Sequence, residues 1–197
     1  MDVVTCSLRV VATWAARLAG LVVVAMAVLV TTDVVVRSLL GTTLLYGGVG
    51  ELSGYALALV TVWGASLTLL NRSHIRIDTV QMILPRASII FLDLIAAISF
   101  LLAMGLLTWT GWQTFARSLK LGSRSMTPLA TMLAIPQGLW IAGLVLLTIT
   151  SAWLVVRAIY LVGSGRANEA RPLIGTRLVS EEIEDQRAGS GKEGSHA

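Results

Sequence analysis

The chain has 197 residues, 55% of them hydrophobic and 13% charged, with a mean hydropathy of +0.80. Soluble domains carry about 25% charged residues, so this composition excludes an ordinary water-soluble globule and points to a membrane protein. The net charge of +4 does not argue for nucleic acid, because the basic residues fall between and after apolar runs, where they act as topology signals.

The first element follows Arg9 and Arg17 and includes the apolar run from Leu18 to Val30. It could be mistaken for a signal peptide. It ends, however, in Thr31-Thr32-Asp33-Val34-Val35-Val36-Arg37, which offers no small-residue cleavage site, so the pattern predicts an uncleaved helix over about 12–36. Asp33 and Arg37 are spaced to share one face of that helix.

The second span is expected at 52–71, uncharged residues bounded by Glu51 and Arg72. A helix of that length covers about 30 Å, the thickness of a hydrocarbon core. Glu51 suits the positive end of the helix dipole, and the same role is expected of Asp93 at the start of the third span. Trp63 lies well inside the second span, and an indole N–H at that depth needs an acceptor.

Between the second and third spans lies the densest polar patch, Asn71-Arg72-Ser73-His74-Ile75-Arg76-Ile77-Asp78. Ile77, Val80 and Leu84 then recur at helical spacing before Pro85, which predicts a short amphipathic helix on the cytoplasmic membrane surface. The third span is expected over about 90–116 and the fourth over 134–157, with Pro136 tolerated in a first turn. Every span must be helical, since lipid leaves no partner for unpaired backbone amides. The fold class is therefore an all-α integral membrane protein with four transmembrane helices, the membrane domain occupying 1–162. Residues 163–197 read as a polar, disordered cytoplasmic tail.

Positive charge sets the orientation. Arg9, Arg17, Arg72, Arg76, Arg86, Arg157, Arg166 and Arg171 fall on one side, and Arg37, Arg117, Lys120 and Arg124 on the other. The larger set predicts both termini in the cytoplasm. Trp14 and Trp153 then fall near the inner boundary, and Trp109, Trp112 and Trp140 near the outer one. Small residues spaced four apart, Ala16 with Gly20, Gly54 with Ala58 and Gly138 with Ala142, could let helix backbones approach.

Chemistry has little to work with. Cys6 is the single cysteine, so neither an intrachain disulfide nor a thiol-rich metal site can form. A haem anchor needs axial ligands inside the bundle, yet His74 and His196 are the only histidines and both lie outside the spans. There is no P-loop and no HExxH sequence. No enzyme activity, cofactor or metal is expected. Two other classes stay open on residues alone: an autonomous small transporter using Asp33 or Glu51 as coupling carboxylate, and a membrane anchor for a redox enzyme.

The order of landmarks carries a resemblance. Asp33-Val34-Val35-Val36-Arg37 ends the first helix, Glu51 opens the second, and Gly64-Ala65-Ser66-Leu67 lies within it. The His74-Ile75-Arg76-Ile77-Asp78 run follows, then Leu84-Pro85, a third helix, and Ile135-Pro136-Gln137-Gly138 at the fourth. Over about 21–157 this resembles the small, DctQ-like (Q-type) permease subunit of tripartite ATP-independent periplasmic (TRAP) transporters. The resemblance implies a bacterial inner-membrane complex for sodium-coupled symport of an organic acid or related solute. Its implied partners are a large permease subunit, which the small one scaffolds, and a periplasmic solute-binding protein, with membrane lipids around them. It makes Asp33, Arg37, Glu51, His74, Arg76 and Asp78 candidate structural or subunit-contact residues. One departure is Leu44-Leu45-Tyr46-Gly47-Gly48-Val49-Gly50-Glu51, which has one acid and no tryptophan where the family commonly has a tryptophan and paired acids.

Overall fold

The computed structural model describes residues 3–43, 48–71 and 86–164. They form four α-helices: α1 (Val3–Leu40), α2 (Gly48–Leu70), α3 (Arg86–Leu121) and α4 (Ala134–Gly163). All four are long and apolar enough to cross a membrane. The amphipathic helix expected before Pro85, with His74, Arg76 and Asp78, lies outside the described residues, as does the tail beyond 164.

The helices run longer than the apolar runs that announce them. The 38 residues of α1 extend about 57 Å, nearly twice a hydrocarbon core. Charged residues such as Arg9 and Arg37 end the lipid-compatible stretch but do not end a helix. Glycine does. Gly41 takes φ +68°, and its N–H bonds to the Arg37 carbonyl at 3.1 Å. Gly122 takes φ +59° and closes α3 with two bonds, its own N–H to Leu119 O and Ser123 N–H to Ser118 O. That pair is a Schellman motif, which supplies partners to end carbonyls. Because α3 begins at Arg86, Asp93 sits two turns inside the helix and is 3% exposed. The end-of-helix role expected for Asp93 does not apply.

Contacts run α1 to α2, α2 to α4, and α4 to α3. The helices alternate in direction. Thr5 at the start of α1 meets Trp153 and Arg157 late in α4, while Glu51 at the start of α2 meets Thr127 just before α4. Two ends of the bundle are thereby defined: a loop end holding residues 122–133, and a terminal end holding the first turns of α1 and the last of α4.

α4 is the central helix. It buries 44% of its most apolar stretch inside the protein, against 11% to 17% for the others. Small residues let its neighbours come close. Ala12, Ala15 and Ala19 form the buried stripe of α1, and Ala12 packs with Leu70 and Leu154. Ala97 of α3 packs with Val155 and Ala158. A Cβ at Gly111 would lie 3.0 Å from the Trp140 ring, and one at Gly138 would lie 3.2 Å from Phe115. Each glycine of that crossing receives an aromatic ring from the opposite helix. Of the small residues singled out by spacing, Gly138 makes such a contact, whereas Gly20 and Gly54 face open space and Ala58 is exposed. Lipid replaces water around the exposed apolar faces of α1 and α3, so packing and hydrogen bonds, more than the hydrophobic effect, hold these helices together.

Candidate functional site

Among the described residues, polar side chains tie the helices and the loop between α3 and α4 to one another, and a polar group left without a partner in lipid would be costly. At the loop end, Glu51 occupies the first turn of α2. Its Oε1 accepts the Tyr55 hydroxyl at 2.5 Å, one turn further along the same helix. Its Oε2 accepts the hydroxyl of Thr127 from the loop between α3 and α4.

That loop is itself ordered by its backbone. Arg124 and Met132 pair as an antiparallel bridge. Ser125 N–H bonds to Thr131 O at 2.9 Å, and Leu133 N–H to Ser123 O at 3.0 Å. The turn closes through Ala130 N–H to Thr127 O at 2.9 Å, with Ala130 in the left-handed region at φ +44°. Ser125 Oγ lies 3.1 Å from Thr127 Oγ1, which places a second hydroxyl beside the carboxylate's partner. The carboxylate of α2 therefore fastens a small β-like lobe over the loop end of the bundle.

Within the bundle, Trp63 of α2 donates its indole N–H to the carbonyl of Leu139 in α4 at 2.9 Å. A helical carbonyl already engaged in its own helix has a second lone pair for such a donor. Between α3 and α4, Thr108 and Thr148 are joined at 2.8 Å. Thr108 Oγ1 also lies 2.8 Å from Met104 O and Thr148 Oγ1 lies 3.4 Å from it, so both hydroxyls converge on that carbonyl and either can donate to the other. At the terminal end, Thr5 Oγ1 accepts from Trp153 Nε1 at 3.1 Å and from Arg157 Nη1 at 3.0 Å. Both partners can only donate, so this one hydroxyl uses both of its lone pairs to tie α1 to α4.

The candidate residues are distributed among these elements. Asp33 is on α1 and 6% exposed. Arg37 lies in the last turn of α1, where a cation suits the helix dipole, and its side chain is exposed. Glu51 fastens two elements by its side-chain bonds. Sequence reasoning missed its partners Tyr55 and Thr127, the Thr5 tie, and Gly143, where an added Cβ would strike Trp63. Tyr55 carried a usable signal, its spacing of one turn from Glu51. Thr127 carried none. Among the described residues, no three His, Cys, Asp or Glu side chains converge.

No curated protein and no solved structure gives a significant match to the chain. The family model described as Tripartite ATP-independent periplasmic transporters, DctQ component, matches residues 26–161. That stretch takes in all of α2, α3 and the buried part of α4, and it contains Glu51, Trp63 and Thr127. The chain belongs to the DctQ family, the small component of TRAP transporters.

Proposed function

We propose that this chain is a non-catalytic scaffold, the fixed lateral partner of a large permease subunit in sodium-coupled uptake of an organic acid or related solute. A periplasmic binding protein delivers that solute, and the complex sits in a bacterial inner membrane with both termini of this chain in the cytoplasm. One observation carries the reading beyond family membership. Among the described residues, the side chains of Thr5, Glu51, Trp63, Thr108 and Thr148 each spend a hydrogen bond on joining this chain's own elements. A transport site instead presents polar groups to a cavity, commonly at broken helices. α1, α2, α3 and α4 are each continuous.

The exposed apolar faces of α1 and α3 leave ample surface for a large membrane partner, and the lobe fastened by Glu51 offers a firm surface at the loop end for a docked binding protein. Asp33, Arg37 and Glu51 are candidates for holding or contacting those partners, together with His74, Arg76 and Asp78 outside the described residues.

The test is reconstitution. Liposomes carrying the large subunit with this chain are expected to take up solute under an inward sodium gradient when binding protein is supplied. Omitting this chain should abolish uptake, and this chain alone should move nothing. Flux through the isolated chain, or full uptake without it, would overturn the proposal.

A further inference from the structure

An apolar groove of about 410 Å³ opens where α1, α2 and α4 meet. Val10, Trp14 and Leu18 of α1 form one wall, Trp63 of α2 the second, and Ala142 and Leu146 of α4 the third. Gly143 leaves its floor without a side chain. Its volume lies within the range of pockets that hold small ligands, about 300–1,000 Å³. Trp14, Val10 and Leu18 are each at least half exposed, so the groove is open along its length to whatever surrounds the bundle.

A cation marks one wall. Val10, Trp14 and Arg17 recur at four- and three-residue intervals and so share a face of α1. The guanidinium carbon of Arg17 lies 5.3 Å from the centroid of the Trp14 ring. Side chains on a helix lean toward its N-terminus, so Arg17 reaches back over Trp14 toward the terminal end of the bundle. That is the direction in which a long cationic side chain leaves hydrocarbon. α1 has no carboxylate before Asp33 within its described length, α2 has none after Glu51, and α4 has none at all. The helices that build the groove thus place a guanidinium at its wall and supply no counter-charge beside it.

We propose that this groove is a binding site for one anionic phospholipid of the leaflet at the terminal end. An acyl chain lies along Leu18, Trp63 and Leu146, and the headgroup phosphate meets Arg17 above Trp14. Apolar walls match the chain, while a planar guanidinium matches phosphate by paired N–H donors. The indole of Trp14 serves both, packing against the chain on one side and carrying the cation on the other.

The full-length chain can be equilibrated with vesicles of equal phosphatidylglycerol and phosphatidylcholine, extracted in mild detergent, and weighed by native mass spectrometry with its retained lipid. One retained phosphatidylglycerol is expected, preferred over phosphatidylcholine roughly fivefold, the equivalent of about 1 kcal/mol for one arginine at a membrane surface. Arg17→Gln should remove the preference and leave retention, and Ala142→Leu, which fills the groove, should lower retention of both lipids. Both positions are exposed, so neither change disturbs helix packing, and unchanged helical circular dichroism checks this. Equal selectivity in wild type and Arg17→Gln, or undiminished retention in Ala142→Leu, would overturn the site. So would efficient cross-linking of Ala142→Cys, in a Cys6→Ser background, to another transporter subunit, since a protein helix would then occupy the groove.

Discussion

The indole of Trp63 occupies the space that a side chain at Gly143 would need: a Cβ built there would lie 2.4 Å from Trp63 Cδ1 and 2.6 Å from Val62 Cγ2. This approach is what brings the Trp63 N–H within 2.9 Å of Leu139 O, one turn before Gly143 on α4. Packing and hydrogen bonding at the crossing of α2 and α4 are therefore one feature. Gly143→Ala is expected to push the helices apart and cost about 1–3 kcal/mol, the usual range for overpacking. Trp63→Phe should cost less, since it removes the donor and leaves an aromatic ring. Unfolding in graded denaturing detergent, followed by circular dichroism, checks the order. Equal stability of Gly143→Ala and wild type would show that the helices do not meet this closely.

The Thr108–Thr148 bond gives a cleaner measure of polar adhesion, because both residues can be changed to valine with little change of shape. A double-mutant cycle with Thr108→Val and Thr148→Val is expected to yield a coupling of about 0.6 kcal/mol and no more than about 1.7 kcal/mol, the span measured for such bonds in membrane bundles. The value is modest because either hydroxyl can fall back on the Met104 carbonyl, 2.8 Å from Thr108 and 3.4 Å from Thr148. A coupling indistinguishable from zero would mean that α3 and α4 rely on packing, the Gly111–Trp140 and Phe115–Gly138 contacts and the Ala97, Val155 and Ala158 cluster.

Those two contacts make their own prediction. Gly111 and Gly138 lie on opposite helices, and each accepts an aromatic ring from the other side. Gly138→Ala should cost less than Gly143→Ala, since its Cβ would meet only the edge of Phe115 at 3.2 Å, and a ring can tilt by a few tenths of an ångström. Gly138→Leu should separate the helices outright. The readout is the distance between spin labels on exposed positions of α3 and α4, unchanged for Ala and widened for Leu.

How much of this was legible beforehand depends on the range of the interaction. The four helices were readable because an apolar run near twenty residues has one solution in lipid, and Glu51 was readable as a first-turn carboxylate because its dipole partner is its own helix. The ends of α1 and α3 were not, since charge marks the edge of the bilayer while Gly41 and Gly122 mark the end of the helix. Asp93 was misplaced for the same reason. Trp63 announced its need for an acceptor, but Leu139 could be named only once the rotation of α4 was known. Spacing alone drew attention to Gly20 and Gly54, which face outward, and passed over Gly111 and Gly143, whose small size matters because of what lies opposite them.

Glu51 offers the sharpest test at the loop end, because its two oxygens do different things. Oε1 holds Tyr55 within α2, and Oε2 holds Thr127 across 76 residues of sequence. Only the second bond fastens the lobe. Glu51→Ala removes both acceptors, and Thr127→Val removes the long-range bond alone, so both should free the loop while Tyr55→Phe should not. Glu51→Gln keeps one carbonyl oxygen and adds an amide donor that hydroxyls can accept, so it should fall between wild type and Glu51→Ala. Hydrogen exchange of the amides of Ser125, Ala130 and Leu133 reads this directly, since all three are bonded within the lobe. The expected ranking, slowest to fastest, is wild type with Tyr55→Phe, then Glu51→Gln, then Thr127→Val with Glu51→Ala. If Glu51→Ala leaves those amides protected, the backbone bridge of Arg124 and Met132 is sufficient for the lobe. The carboxylate would then be released to contact another subunit, and loss of uptake in Glu51→Ala with a protected lobe would identify that role.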